Sequence, residues 1–470
     1  MFKSLAKKKF SFIKQNSLII SVLIVITAFL FSRLPFFIWA PIVGSSYDTF
    51  EYFEIVEQLN NGILPSISFL PVGFPFFCYF IGLFSDNILT IIYIQNFITL
   101  IISLFFIFVV NKYYKKIVVF ISIALSIYLM DSFKLNIDTH LYTESIYSNS
   151  ILLICGLFIC LINSKNKWTW IFFSISLIFP SLIRSNGIYI YFLPLFILLF
   201  MIFNKYHLKF YFLLLLPILL LNILWGLYSI KVDGIFSIAN SKRINYVIDY
   251  SQHYRLGDKK LRDKKISSTG YLKDKSILLG KYINNISVSK AQFYYSIIPT
   301  RYNKLFIQDK IHKPDLMMDL KTKEWISLKE SIRELVYKDY FYKTDPFKSI
   351  ILEFNVKNKY SNLWLFLYHI YYKIHDIFFW NIFWFILSLI IFIYTSVLLI
   401  KNKFNNKIIF LINSLCLLHF IAIITITIGH GRFQARYSHV TEFVYYLIPV
   451  FFILFLHKTS KKNHKKIQKI

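Results

Sequence analysis

Long runs of apolar residues, separated by short polar or basic stretches, dominate the chain. A helix that crosses a bilayer needs about 20 mostly apolar residues, and about ten of the runs approach that length. The predicted spans are residues 17–37, 87–110, 117–130, 142–162, 168–183, 187–203, 209–230, 376–400, 407–428 and 440–457. The pattern therefore predicts an all-α integral membrane protein with a bundle of about ten transmembrane helices.

A further apolar run, residues 71–84, is too short for a confident span. Its placement decides the side on which all later loops lie, and the basic residues distinguish the two choices. Lysines cluster before residue 15, at 112–116, 165–167, 205–209 and 401–407, and after residue 457. All of these clusters share one side only if 71–84 does not cross, and cytoplasmic loops are the ones rich in Lys and Arg. We therefore expect 71–84 to be a re-entrant or surface segment on the outer face.

This topology places both termini in the cytoplasm and the protein in the plasma (inner) membrane. Three segments then lie on the outer face, at 38–86, 131–141 and 231–375. The predicted organisation is an N-terminal transmembrane module (1–230) that carries the first outer loop, an outer-face loop domain (231–375), and a C-terminal transmembrane module with a basic cytoplasmic tail (376–470).

Composition agrees with a membrane protein and constrains the meaning of the charge. Hydrophobic residues make up 56% and charged residues 16%, whereas soluble domains have roughly 45–50% and 25%. The net charge is +29, but its lysines are dispersed among loop ends and the outer domain, which argues against nucleic-acid binding. Long loops translocate largely regardless of their charge, so the basic 231–375 segment does not contradict the topology.

Carboxylates are scarce, so their positions are informative. In the first outer segment, SYDTFEYFEIVEQLNNG (46–62) has the apolar spacing of an amphipathic helix on the membrane surface. Asp48 and Glu51 stand at its start and have the spacing of a helix cap. Asp48 is equally placed to act as a general base or to hold a cation at the membrane–water boundary, and the two interpretations are compatible.

The second outer segment supplies a second group of polar candidates. Asp138 and His140 are expected in the loop, and Glu144 in the first turn of the next span. A helix dipole favours a negative charge at that position, which is the structural explanation of Glu144. An ionisable residue near a span is also a functional-site hypothesis. Asp48 and Glu144 facing one outer cavity could form an acid–base pair, or could hold a divalent cation such as Mg²⁺ or Mn²⁺.

Two outer turns carry arginines, on the side where the positive-inside rule does not favour them. Arg184 lies in the first turn, and Arg432 and Arg436 lie in the second. Lipid headgroups or the outer carboxylates are one explanation for these cations. The other is an anionic ligand, because the planar guanidinium group matches a phosphate. His419, within a span, is interpreted as a hydrogen-bonded packing residue.

Together these stretches resemble the GT-C fold of polytopic glycosyltransferases, near the protein O-mannosyltransferase and aminoarabinose-transferase branches. The acidic helix of the first outer loop and SFLPVGFPFFCYFIGLF (68–84) resemble the start of the family pattern. LYTESIY (141–147), LIRSNGIYIYFLP (182–194) and RYSHVTEFVYYLIP (436–449) follow in the family's order. The resemblance covers roughly 17–230 and 376–457, and nothing in 231–375 is recognised.

The resemblance implies an inverting sugar transfer on the outer face, from a polyprenyl-phosphate-linked donor to a lipid-linked glycan, polysaccharide or protein of the cell envelope. By position, Asp48 would be the catalytic base and Glu144 would orient the acceptor or help hold a cation. Arg432 or Arg436 would neutralise the lipid phosphate. The remaining candidates for substrate binding are Glu51, Asp138, His140, Arg184 and Tyr437. No cofactor is required by this pattern, although it leaves room for a divalent cation.

Two other functions stay open at the level of sequence. A polymerase or ligase of lipid-linked glycans, as for O-antigen, also has many spans and a large outer loop, and relies mainly on outer arginines. A lipid or solute transporter would be expected to show internal repeats and polar groups near mid-membrane. The chain shows no evident repeat, and its polar candidates gather at the outer boundary.

Overall fold

The computed structural model describes residues 16–38, 47–65, 71–85, 87–139, 141–164, 166–204, 208–233, 236, 383–401, 406–430 and 441–467. Within these ranges the protein is all-helical and contains no strand. The sequence prediction of a helical protein is therefore confirmed for this part of the chain.

Fourteen α-helices are numbered here in chain order over the described ranges. They are α1 (Ser17–Ile38), α2 (Tyr47–Asn60), α3 (Gly73–Gly82), α4 (Ile88–Tyr114), α5 (Val118–Met130), α6 (Ser132–Asp138), α7 (Thr143–Asn163), α8 (Lys167–Ser176), α9 (Phe179–Ile183), α10 (Phe192–Phe203), α11 (Leu208–Asp233), α12 (Phe383–Lys401), α13 (Lys407–His430) and α14 (Phe443–Ile467). Short 3₁₀ helices at Lys115–Ile117 and Ser185–Tyr191 precede α5 and α10.

Five helical segments in the described ranges are long and apolar enough to cross a membrane. They are Ser17–Leu34, Leu89–Met130, Thr143–Asn163, Lys209–Val232 and Phe383–Lys401. The side chains of α11 and α12 support this assignment, because only 22% of each spanning window is buried within the protein. Leucines such as Leu216, Leu220 and Leu224 are exposed. Such continuous apolar surface is suited to hydrocarbon and not to water, and we conclude that this is a membrane protein.

The segment Leu89–Met130 is a helical hairpin and not one long helix. The Arg33 guanidinium group donates to Asn96 Oδ1, near the start of α4 (2.9 Å), and to the Leu129 carbonyl oxygen, at the end of α5 (3.1 Å). A straight helix would hold these two residues roughly 50 Å apart. The chain reverses at the 3₁₀ helix Lys115–Ile117, so this segment supplies the two antiparallel helices that the sequence predicted at 87–110 and 117–130.

The contacts define two opposite ends of the bundle. At the carboxylate end, the end of α1 and the start of α4 meet, as Phe37 and Tyr93 show (ring centroids 5.6 Å apart). At the lysine end, the ends of α4 and α7 meet, where Asn163 Nδ2 donates to the Tyr114 hydroxyl (3.2 Å). Every carboxylate side chain that the structure describes lies at the carboxylate end, namely Glu57, Asp131, Asp138, Glu144 and Glu442. Exposed lysines at 112, 115, 116 and 167 lie at the lysine end.

The predicted spans 168–183 and 187–203 are each broken into shorter pieces. The first consists of α8 and α9, because Pro180 lies in the first turn of α9 and has no backbone N–H to continue the helix from α8. The second begins as a 3₁₀ helix. There Gly187 approaches the Pro180 carbonyl so closely that a Cβ atom would lie 2.2 Å from its oxygen. These breaks set the position of Arg184, which lies between the two pieces.

Two other boundaries differ from the sequence predictions. Residues 132–138 form the short helix α6, so Asp138 ends a helix and does not lie in a loop. Lys134 and Asp138 lie one turn apart in this helix and form an ion pair (2.8 Å), which stabilises so short a helix. Helix α2 begins at Tyr47, which puts Asp48 in the first turn and not at the cap.

Candidate active site

The Glu144–Arg184 ion pair lies at the carboxylate end of the bundle. Glu144 occupies the first turn of α7, as the sequence predicts. Arg184 Nη1 lies 2.7 Å from Glu144 Oε1 and donates to Thr143 Oγ1 at 2.8 Å. The Thr143 hydroxyl donates to Glu144 Oε2 (3.1 Å). The pair thus brings together two of the residues selected from the sequence, which are 40 positions apart.

The Glu144–Arg184 pair is nearly but not completely enclosed. The Glu144 side chain is 3% exposed, whereas the Arg184 side chain is 12% exposed. The exposed fraction of the Arg184 side chain leaves part of the pair within reach of a ligand. The arrangement can therefore orient a carboxylate and present positive charge to an anion at the same place.

Helices α2 and α3 bring the first outer segment close to Arg184. The Tyr52 ring of α2 contacts the Phe74 ring of α3 edge-on, with centroids 5.3 Å apart. The adjacent Gly73 packs directly on the backbone of α9, since a Cβ atom there would lie 2.5 Å from the Leu182 carbonyl oxygen. Leu182 is two residues before Arg184. The helix that carries Asp48 is therefore anchored, through α3, to the segment that carries Arg184.

A second charged group, the buried cluster, consists of Arg33, Lys134 and Asp138. Its three side chains are 0%, 1% and 0% exposed. Asp138 Oδ2 accepts from Arg33 Nη2 (2.5 Å), and Asp138 Oδ1 accepts from Lys134 Nζ (2.8 Å). The Asp138 carboxylate therefore joins α1 to α6 across 105 positions of sequence.

Hydrogen bonds to three uncharged side chains of α7 complete the buried cluster. Lys134 Nζ also donates to Ser148 Oγ (2.8 Å) and to Asn149 Oδ1 (3.4 Å), and Asp138 Oδ1 accepts from Ser145 Oγ (2.8 Å). These three partners lie in the first two turns of α7, directly after Glu144. The cluster therefore fixes the turn of α7 that presents Glu144.

The electrostatics of the buried cluster keep Asp138 ionised. Burial by itself raises the pKa of a carboxylic acid, but the Lys134 and Arg33 cations outweigh this effect and hold the pKa of Asp138 below its ordinary value. A substrate has no exposed surface of Asp138 to contact in this structure. The geometry shows Asp138 supporting α7, and its contact with a substrate stays a prediction of the sequence.

Helices α13 and α14 contribute another buried polar contact at the carboxylate end. His419 Nδ1 lies 2.8 Å from Thr441 Oγ1, and the imidazole ring packs on Tyr445 with centroids 4.3 Å apart. The sequence interpretation of His419 as a hydrogen-bonded packing residue agrees with this geometry. Glu442 is also buried beside it, at 5% exposure, and the sequence analysis did not select it.

The other predicted site residues cannot be placed relative to this pair. His140, Arg432, Arg436 and Tyr437 lie outside the described residues, as does almost all of the predicted 231–375 domain. For Asp48 and Glu51 the structure describes the backbone within α2 but not the side chains.

The sequence analysis missed Arg33 and Lys134, although both carried a usable signal. Arg33 is an ionisable residue within the first apolar run, and such residues usually pair with another group or belong to a functional site. Lys134 stands four positions before Asp138, the spacing of an ion pair on a helix. What the sequence did not reveal is that the two cations share one carboxylate.

The described residues do not form a metal centre. No group of three or more His, Cys, Asp or Glu side chains comes together among them. Glu144, one of the two carboxylates considered for a cation, is already paired with Arg184.

Comparisons of the chain with protein-family models, curated proteins and solved structures gave no match. Within the described residues the protein is all-helical, with five helical segments long and apolar enough to cross a membrane and a charged pair at one end of the bundle. Any closer assignment depends on the chemistry of that pair.

Proposed function

We propose that this protein is a GT-C-like membrane glycosyltransferase with about ten spans. It transfers a sugar from a polyprenyl-phosphate-linked donor to a cell-envelope acceptor on the outer face of the plasma membrane. In this proposal the carboxylate end of the bundle is the outer end, and the lysine end with both termini is cytoplasmic. Among the described residues the carboxylates lie at the carboxylate end, and exposed lysines 112, 115, 116 and 167 lie at the lysine end, with exposed Lys231 near the end of α11 as an exception. This bias supports the orientation, because cytoplasmic loops are the ones rich in lysine.

The proposed reaction is an inverting displacement at the anomeric carbon. The acceptor hydroxyl attacks that carbon and loses its proton to Asp48, and the bond from the anomeric carbon to the phosphate oxygen breaks. The polyprenyl phosphate leaves as an anion, and outer cations stabilise the charge that develops on it. We assign that role to Arg432 or Arg436.

In the proposed mechanism Glu144 orients the acceptor, and Arg184 holds Glu144 in place. A carboxylate held at 2.7 Å by a guanidinium group is fixed in orientation, and its oxygens can accept hydrogen bonds from substrate hydroxyls. The observation that carries the proposal is this pair. Of the described ion pairs it is the one with a partly exposed member. Helix α3 links it to α2, because α3 packs both on α2 and on the backbone of α9 just before Arg184.

The competing functions predict different sensitivities. A glycan polymerase or ligase that depends mainly on outer arginines would tolerate loss of the Asp48 carboxylate. A transporter would instead be expected to depend on polar groups near mid-membrane. The Glu144–Arg184 pair lies at the end of the bundle, which favours chemistry at the membrane boundary.

The experiment is the replacement Asp48→Asn, compared with Glu57→Gln in the same helix. Glu57 is exposed and serves as the matched control. Each variant is expressed in cells that lack the wild-type gene, and the envelope glycans are analysed by mass spectrometry at equal protein abundance. We expect Asp48→Asn to lower transfer by a factor of about 10² or more and Glu57→Gln to leave it unchanged. Full transfer by Asp48→Asn would exclude the proposed base.

A further inference from the structure

Four exposed lysines lie together at the lysine end of the bundle. Lys112, Lys115 and Lys116 surround the reversal between α4 and α5, and Lys167 begins α8. We call these four residues the lysine patch. None of the ion pairs in the described part of the chain includes any of them. The described carboxylates all lie at the opposite end, so this patch has no internal counter-charge among the described residues.

The patch is one surface because α4, α7 and α14 meet there. The hydrogen bond from Asn163 to Tyr114 joins the α4–α5 reversal to the end of α7, four residues before Lys167. Tyr114 also packs edge-on against Phe451 of α14, with ring centroids 5.7 Å apart. Helix α14 continues to Ile467, and its last turns contain further lysines at 458, 461, 462, 465 and 466.

Aromatic rings place the lysine patch at the depth of lipid headgroups. The Lys112 ammonium group lies 5.4 Å from the centre of the Tyr113 ring, and the Lys167 ammonium group lies 5.8 Å from that of Trp168. Trp168 is 56% exposed. Tyr and Trp gather at membrane–water interfaces, where one side of the ring is apolar and the other is wet. We therefore expect the lysines beside them to lie in the headgroup layer.

We propose that the lysine patch binds the headgroups of anionic phospholipids. A lysine ammonium group is a mobile point charge that suits a phosphate, and several of them on one surface attract an anionic leaflet. Each lysine is expected to contribute about five-fold to the preference for anionic over zwitterionic lipid. This inference is independent of the proposed transfer reaction.

The test uses the full chain in nanodiscs that contain equal amounts of phosphatidylglycerol and phosphatidylcholine. After re-extraction with mild detergent, the lipids that remain bound are counted by mass spectrometry. The variants are Lys115→Gln, the triple change Lys112→Gln, Lys115→Gln and Lys116→Gln, and the control Lys231→Gln. Lys231 is an exposed lysine near the C-terminal end of α11, outside the lysine patch.

We expect the wild type to retain phosphatidylglycerol selectively, and to lose this selectivity at high salt. Lys115→Gln should lower the selectivity about five-fold, the triple variant further, and Lys231→Gln not at all. If the triple variant fails to fold, the single variant and the salt titration of the wild type still test whether the lysine patch binds anionic lipid. Unchanged selectivity in Lys115→Gln overturns the proposal. So does binding of RNA or an acidic protein to the patch that anionic lipid does not displace.

Discussion

The buried cluster and the Glu144–Arg184 pair contact neighbouring residues of α7, but they differ in their access to solvent. Asp138 accepts from Ser145, the residue next to Glu144, so the two groups meet in a single helical turn. Arg33 and Asp138 have no exposed side-chain surface, whereas Arg184 keeps 12%. The buried cluster has its polar groups paired within the protein, and the Glu144–Arg184 pair can still meet a ligand.

The difference shows why charge near a membrane span is not by itself a sign of catalysis. A buried ion pair stabilises a fold only when its partners are complete, and removing one partner leaves an unpaired charge in a medium of low dielectric constant. We therefore infer that the buried cluster holds α1, α6 and α7 together, whereas in the proposed mechanism the Glu144–Arg184 pair orients the acceptor. Three variants and the dependence of stability on pH separate these two roles.

The largest effect is expected for Asp138→Asn. This change leaves Arg33 and Lys134 buried without a carboxylate, and should lower the free energy of unfolding by about 3–5 kcal/mol. Thermal unfolding of purified protein in detergent measures the change, with Glu57→Gln as the control that should stay within about 0.5 kcal/mol of wild type. A loss below about 1 kcal/mol would contradict the role of the cluster in the fold.

Glu144→Gln should lower sugar transfer strongly and stability only moderately. The amide keeps an oxygen for Arg184, and water can reach the 12% of the Arg184 side chain that is exposed. The free energy of unfolding should therefore fall by about 1–3 kcal/mol, less than for Asp138→Asn, while sugar transfer should fall by a factor of about 10² or more. Thermal unfolding and envelope-glycan analysis are measured on the same preparations. A variant that keeps its activity, or that unfolds as readily as Asp138→Asn, would remove the distinction between the two groups.

A smaller effect is expected for Ser145→Ala, which breaks one hydrogen bond to Asp138 and leaves all three charges in place. The expected loss is about 1 kcal/mol. Ser150→Ala is the matched control in the same helix, because the Ser150 hydroxyl donates within its own helix to the Tyr147 carbonyl oxygen (2.6 Å). Equal unfolding temperatures for the two variants would show that the hydrogen bond from Ser145 to Asp138 contributes nothing measurable.

The smallest change within the physiological range is the dependence on pH. The pKa of Asp138 is lower in the folded protein than its ordinary value of 3.8, so the unfolded chain binds the proton more readily. The stability that Asp138 contributes is therefore fully present above pH 3.8 and is lost as the pH falls through the lower folded value. Asp138 should therefore cause no change of the unfolding temperature with pH near neutrality, and should lower it in acid. A rise in stability on acidification below pH 3.8 would contradict the sign.

The sequence predicted the local features well and the long-range ones poorly. Apolar runs of helical length predicted most of the helices, and the scarcity of carboxylates drew attention to Glu144, whose position in the first turn of α7 followed from local pattern. The partnership of Glu144 with Arg184 was only one option among several. The break at Pro180 was readable in principle, because proline cannot continue a helix.

The buried cluster could not be read from the chain because its contacts join distant positions. Arg33 looks like an ordinary basic residue near the end of an apolar run, and its partners Asn96 and Asp138 follow 63 and 105 positions later. Only tertiary packing converts that arginine from a surface charge into a buried structural residue.

The most direct test of the central claim is an envelope-glycan comparison of four strains. One carries the wild-type gene, one lacks it, and two carry Glu144→Gln or Ser150→Ala in its place, with membrane abundance of the protein matched. We predict that one monosaccharide disappears when the gene is absent, returns with wild type and Ser150→Ala, and stays absent with Glu144→Gln. An unchanged glycan profile in the strain without the gene, or full restoration by Glu144→Gln, would contradict the account.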